Sequence, residues 1–192
     1  MKHTLLILAT LCSTSAFAQS PVPVINNADI DGSGSRYQGN LSVNQAAGDQ
    51  QQQANARAFA VGPAASANTH IRQRLNTPAG PAMDARSTIQ GDAFSNGSGA
   101  LGINQSAGAN TQQANALSIS IGAQQQSIDD SVLMQQNVAL LNNSGPIDTS
   151  TGHRQVTTSD QAFTGSRGVI QLNQSAGVGN RMANTLSIRV AD

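Results

Sequence analysis

The side chains of this chain offer little acid–base or nucleophilic chemistry and a great deal of hydrogen bonding. Glu is absent, Lys2 is the single lysine, Cys12 the single cysteine, and Asn and Gln together make up roughly a fifth of the residues. A carboxamide is neutral, donates through its nitrogen and accepts at its oxygen, so it can bond to an identical copy of itself. Here the amides recur in order. Asn44-Gln45, Asn104-Gln105 and Asn173-Gln174 are each followed, at the same offsets, by an Ala-Gly dipeptide ending at Gly48, Gly108 or Gly177, and then by Asn55, Asn115 or Asn184. Threefold internal repetition is the signature of a stacked-repeat architecture. Strands stacked about 4.7 Å apart would set Asn44, Asn104 and Asn173 in one ladder, Gln45, Gln105 and Gln174 in a second, and Asn55, Asn115 and Asn184 in a third.

Other chemistry is thin. His70 and His153 stand apart from any cysteine or carboxylate cluster, so neither a metal site nor a Ser-His-Asp arrangement has its parts in view. Asp29-Ile30-Asp31-Gly32-Ser33-Gly34-Ser35 alternates oxygen donors as a calcium loop does, with glycine at the sixth position. The twelfth is Asn40, where such a loop needs a bidentate Glu, so a Gly/Ser turn is expected. No enzyme activity, cofactor or metal is expected. Ten basic and ten acidic residues give no net charge, which supplies no nucleic-acid footprint and little repulsion between copies.

The elements that would position the amides are strands. Leu41, Val43, Gln45 and Ala47 alternate with Asn40, Ser42, Asn44 and Ala46, the period of a strand with one more apolar face. After a polar arc over 49–53, alternation resumes to Val61. The middle copy is clearer, with Leu117, Ile119 and Ile121 facing one way and Ala116, Ser118 and Ser120 the other. Val43, Ile103 and Leu172 form one repeated apolar row, Phe59, Ile119 and Ile188 a second, and Val61, Ile121 and Val190 a third; all are expected to stack. The Ala and Gln of 50–58 also suit a short amphipathic helix, which is the alternative reading.

Residues 1–18 have a basic start, an apolar run and Ala16-Phe17-Ala18, the pattern of a secretory leader that would also remove Cys12. No later segment approaches the roughly 20 apolar residues of a membrane span. The remaining organisation expected is a proline-bearing lead-in over 19–38, too rich in proline for a central strand, and repeats over 39–61, 89–121 and 160–190. A solvated linker fills 62–88 and a longer one 122–159. Ser127, Asp129 and Asp130 before an apolar stretch predict a short helix over 128–142, or a transient helix within a loop. The fold class is therefore all-β: three imperfect strand-arc-strand repeats stacked as a β-solenoid of cross-β character, joined by flexible linkers.

The pattern Asn-Gln-x-Ala-Gly followed by Ala-Asn, three times over behind a leader, resembles the repeat subunits of the Fap-type functional amyloids of pseudomonads. That resemblance implies a protein secreted through the periplasm and an outer-membrane export machinery, ending in extracellular biofilm fibrils at the cell surface. Its partners would be itself and related amyloid subunits. The short linkers, and an ending Arg189-Val190-Ala191-Asp192 without a Cys-x-x-Cys, resemble the minor, nucleating kind of subunit. Two rivals carry different expectations. An accessory chaperone or secretion partner that caps fibrils would place charges or prolines inside a terminal repeat. A monomeric β-solenoid adhesin would display exposed aromatics or a charged stripe.

Overall fold

A computed structural model of the chain describes residues 24–75, 83–122, 137–138 and 152–190. The expected leader over 1–18 lies outside them. The described residues form strands and turns, with no helix among them.

Nine strands make three successive rungs. Rung 1 contains β1 (Ile25–Asp31), β2 (Gln38–Ala47) and β3 (Gln52–Val61). Rung 2 contains β5 (Asp84–Gln90), β6 (Ser98–Ala109) and β7 (Gln112–Ile121). Rung 3 contains β9 (Arg154–Thr158), β10 (Arg167–Val178) and β11 (Arg181–Val190). Equivalent strands pair in parallel, giving an outer sheet β1-β5-β9, a middle sheet β2-β6-β10 and a second outer sheet β3-β7-β11, with rung 2 central in each. Two-residue strands β4 (Arg72–Gln73) and β8 (Asn137–Val138) pair with each other. This is the stacked β-solenoid expected from the repeats, and its register sets Asn104 between Asn44 and Asn173.

The Ala-Gly dipeptide is explained at the arcs. Gly48, Gly108 and Gly177 have φ of 107°, 119° and 116°, and a Cβ on Gly108 would lie 1.9 Å from the Gly177 carbonyl oxygen. Only glycine allows both the turn and so close an approach between layers.

Between the β1-β5-β9 sheet and the middle sheet lies the apolar core, built on Ile30, Ile89, Phe94, Leu101 and Ile103, with Val43 and Leu172 packed against it. Phe94 and Phe163 stack at 5.6 Å between ring centroids. Each such buried side chain contributes about 1.5–3 kcal/mol. The gap between the middle sheet and the β3-β7-β11 sheet holds amides and hydroxyls instead. On the far side of that last sheet, Ala54, Ala56, Ala114 and Ala116 are covered by Ile71.

Several expectations are corrected. The lead-in over 19–38 contains β1, whose Ala28 and Ile30 are buried; the prolines that argued against a strand precede the described part. Likewise β5 and β9 lie largely where linkers were expected, so each rung has three strands rather than two. The linker over 62–88 is not merely solvated, because Ala67, Ile71 and Gln73 are buried. The alternative helix over 50–58 is replaced by β3, paired along its length with β7. Of the helix expected over 128–142, Asn137–Val138 is a strand, and the rest lies outside the described residues. Asp29, Ile30 and Asp31 belong to β1, and the Gly/Ser turn expected in that stretch is confined to residues 32–36.

Candidate functional site

The site is the set of side-chain ladders running across the rungs. In the first, Asn104 Nδ2 donates to Asn44 Oδ1 and Asn173 Nδ2 donates to Asn104 Oδ1, both at 2.9 Å. In the second, Gln105 Nε2 donates to Gln45 Oε1 at 2.8 Å and Gln174 Nε2 to Gln105 Oε1 at 2.9 Å. In the third, Asn115 Nδ2 donates to Asn55 Oδ1 and Asn184 Nδ2 to Asn115 Oδ1, both at 3.0 Å. All nine amides singled out in the sequence therefore stand in rows, three to a row.

The ladders also join the sheets. Asn55, Asn115 and Asn184 each donate within their own rung to the facing asparagine, Asn44, Asn104 and Asn173, at 2.8, 3.0 and 2.9 Å. Their nitrogens reach the Val43, Ile103 and Leu172 carbonyls as well. In return Asn104 Nδ2 donates to the Ala54 carbonyl and Asn173 Nδ2 to that of Ala114. On the other face of the middle sheet, the glutamine ladder donates to carbonyls of the β1-β5-β9 sheet: Gln45 to Asp29, Gln105 to Ala28 and Thr88, and Gln174 to Ser87 and Thr157. Asn104, Gln105 and Asn115 are completely or almost completely buried, and a buried amide left short of a partner costs about 1–3 kcal/mol. The amides thus hold the chain in one register.

Two further rows escaped the sequence reading. Gln112 Nε2 donates to Gln52 Oε1, and Arg181 Nε donates to Gln112 Oε1. Gln53 Nε2 donates to Gln113 Oε1, whose nitrogen in turn donates to Ser175 Oγ. The Gln-Gln pair at the same offset in the first two repeats was the available signal, hidden by Arg181-Met182 in the third.

The apolar rows divide. Val43, Ile103 and Leu172 are in the core, as expected of a stacking row. Phe59, Ile119 and Ile188 stack in register, as do Val61, Ile121 and Val190, but they lie toward the open end of the gap between the middle sheet and the β3-β7-β11 sheet. Phe59 and Ile119 line a cleft of about 380 Å³ with Gly39, Gly99 and Gly168, and Val61, Ile121 and Val190 are 79, 45 and 48 % exposed. Arg57 takes the place held by Leu117 and Leu186, and its guanidinium donates to Ser42 Oγ and the Leu41 carbonyl; burial lowers its pKa from the ordinary value. His70 lies ahead of β4, and the His153 amide donates to Asp84 Oδ1. No cluster of metal-ligating side chains occurs among the described residues.

A family model for the functional amyloid protein FapB/FapC family matches residues 9–191, nearly the whole chain. The chain belongs to the FapB/FapC family. It is 34% identical over 160 residues to functional amyloid subunit FapC of Pseudomonas aeruginosa, a match that takes in 78% of this chain and 42% of that one. It thus spans less than half the length of this curated relative. No solved structure matches it. Among the described residues, no helix is long and apolar enough to cross a membrane. Within the FapB/FapC family, then, this chain presents a stack whose amides are bonded both along the stacking direction and across the sheets.

Proposed function

We propose that this chain is a structural, non-catalytic subunit of a functional amyloid fibril, secreted and assembled outside the cell, in which copies continue one another's stack. The observation that carries this reading is the unfinished state of rungs 1 and 3. Among the described residues, rung 2 is paired on both sides in all three sheets, whereas β1, β2 and β3 at one end and β9, β10 and β11 at the other each have one edge without a pairing strand. Those edges carry the repeat in the same register, so a second copy offers what a neighbouring rung of the same chain offers. Unpaired parallel edges of that length are templates for another chain.

Within this function we assign the chain to a minor or nucleating role in a biofilm matrix, reached through an outer-membrane export machinery. A single copy already sets three layers in register, which is the costly step in starting a stack. The resemblance of its short linkers to those of minor subunits favours the same role. Incubating the purified chain without residues 1–18 should give fibrils with reflections at about 4.7 and about 10 Å. A small molar fraction of those fibrils should shorten the lag of a longer family subunit. A chain that stays monomeric for days at micromolar concentration would refute the fibril assignment, and an unchanged lag would refute the nucleating one.

A further inference from the structure

The three ladders share one direction. In each, the amide nitrogen of rung 3 donates to the oxygen of rung 2, and the nitrogen of rung 2 donates to the oxygen of rung 1. Arg181 to Gln112 to Gln52 runs the same way, whereas the Gln53 to Gln113 to Ser175 row runs the other way. The two ends of the stack are therefore unlike. At rung 1, the Asn44 oxygen is already used, accepting from Asn104 and from Asn55, while its nitrogen makes none of the hydrogen bonds that Asn104 and Asn173 make to the preceding rung. At rung 3, buried Asn173 uses its nitrogen inward, toward Asn104, Ala114 and Asn115, and among the described residues its oxygen accepts from Asn184 alone, where the Asn104 oxygen accepts from both Asn115 and Asn173.

Resting on the fibril reading above, we infer that a second copy docks in one sense only, with the rung 1 face of one copy on the rung 3 face of the next, and that Asn44 Nδ2 is the donor that closes the joint. Its acceptors follow from the internal joints. Asn104 reaches the oxygens of Asn44 and Ala54, and Asn173 those of Asn104 and Ala114, so Asn44 reaches Asn173 Oδ1 and the Ala183 carbonyl of the other copy. By the same rule Gln45 Nε2, which bonds the Asp29 carbonyl in its own rung, gains Gln174 Oε1 and the Val156 carbonyl of the other copy.

Charge supports the same pairing. Rung 1 and its arcs carry Asp29, Asp31 and Asp49 against Arg36 and Arg57. Rung 3 carries Arg154, Arg167, Arg181 and Arg189 against Asp160. Rung 1 thus carries three acids against two bases and rung 3 four bases against one acid, so unlike ends attract and two rung 3 ends repel. Two rung 1 faces would also bring nitrogen against nitrogen in the Asn44, Gln45 and Asn55 ladders.

Asn44→Asp tests this, because a carboxylate retains both acceptor roles inside the chain and loses only the outward donor. Near neutral pH this variant should elongate fibrils at least ~10-fold more slowly than the unaltered chain. Added at a small molar fraction to unaltered seeds and monomer, it should dock by its intact rung 3 face, leave its substituted rung 1 face outermost and arrest growth at one end, while the other end continues in two-colour imaging. A variant that merely failed to fold would arrest neither end. Asn173→Asp loses inward donors but keeps the outward oxygen, so it should not act as a one-ended terminator. Normal growth at both ends in the presence of Asn44→Asp, or one-ended arrest by Asn173→Asp instead, would overturn the inference. Failure of the unaltered chain to form fibrils would instead overturn the fibril reading on which it stands.

Discussion

The two faces of the middle sheet solve the same packing problem with different chemistry. Toward β1-β5-β9, Leu101 and Ile103 meet Ile30, Ile89 and Phe94. Toward β3-β7-β11, Asn104 meets Asn115 and Ser106 meets Gln51 and Gln53. Apolar contacts are non-directional and tolerate small shifts. Amides must meet donor to acceptor, so a slip of one residue strands every one of them. The apolar face supplies cohesion, and the amide face decides which alignment is kept.

The comparison is strained hardest by a change that serves neither face. Gly108→Ala puts a methyl into the Gly177 backbone and should abolish the stack, seen as loss of both fibrils and β-type circular dichroism. Next comes Asn104→Asp, which buries a charge and turns donors to Asn44 and Ala54 into acceptors, with an expected loss of about 3–5 kcal/mol near neutral pH. Burial raises the folded-state pKa of that carboxyl above its unfolded value near 3.9, so the penalty is absent below that value and grows as pH rises. Assembly of Asn104→Asp should therefore recover toward pH 3, and equal rates at pH 3 and pH 7 would count against the amide face as register-setter. On the apolar face, Ile103→Ala should cost about 2–5 kcal/mol at every pH, measured by denaturant titration of fibrils. The smallest effect belongs to Val61→Thr at the exposed end of β3, within about 0.5 kcal/mol. A large effect there would mean that the end of β3 is covered in the assembled state.

The sequence revealed the amide face more readily than the apolar one. Amides that must bond to copies of themselves have to be the same residue at the same offset in each repeat, so Asn44, Asn104 and Asn173 announced their own register. The strands β6, β7, β10 and β11 were legible for the same reason. The strands β1, β5 and β9 were not: they read INNADID, DARSTIQ and RQVTT, and share a position in space without sharing residues. The first two bury two apolar side chains each and β9 buries none, and all three give carbonyls to the glutamine ladder, a backbone role that leaves no residue pattern. The outer apolar rows stack in register yet stay partly exposed, because alternation fixes which face a residue takes but not how far the opposite sheet extends. Gly39, Gly99 and Gly168 line the cleft opposite Phe59 and Ile119, leaving it open beside them.

The parallel pairing of equivalent strands has a mechanical consequence. Backbone hydrogen bonds between rungs lie along the stacking axis, and β2 with β6, β3 with β7 and β1 with β5 are spanned together. Tension along the axis is consequently shared among all three sheets and the side-chain rows at once, so two rungs part only when many bonds fail together. A load across the axis falls instead on the contacts between sheets, which are fewer and act one after another. Such a stack is stiff when stretched and comparatively soft when peeled.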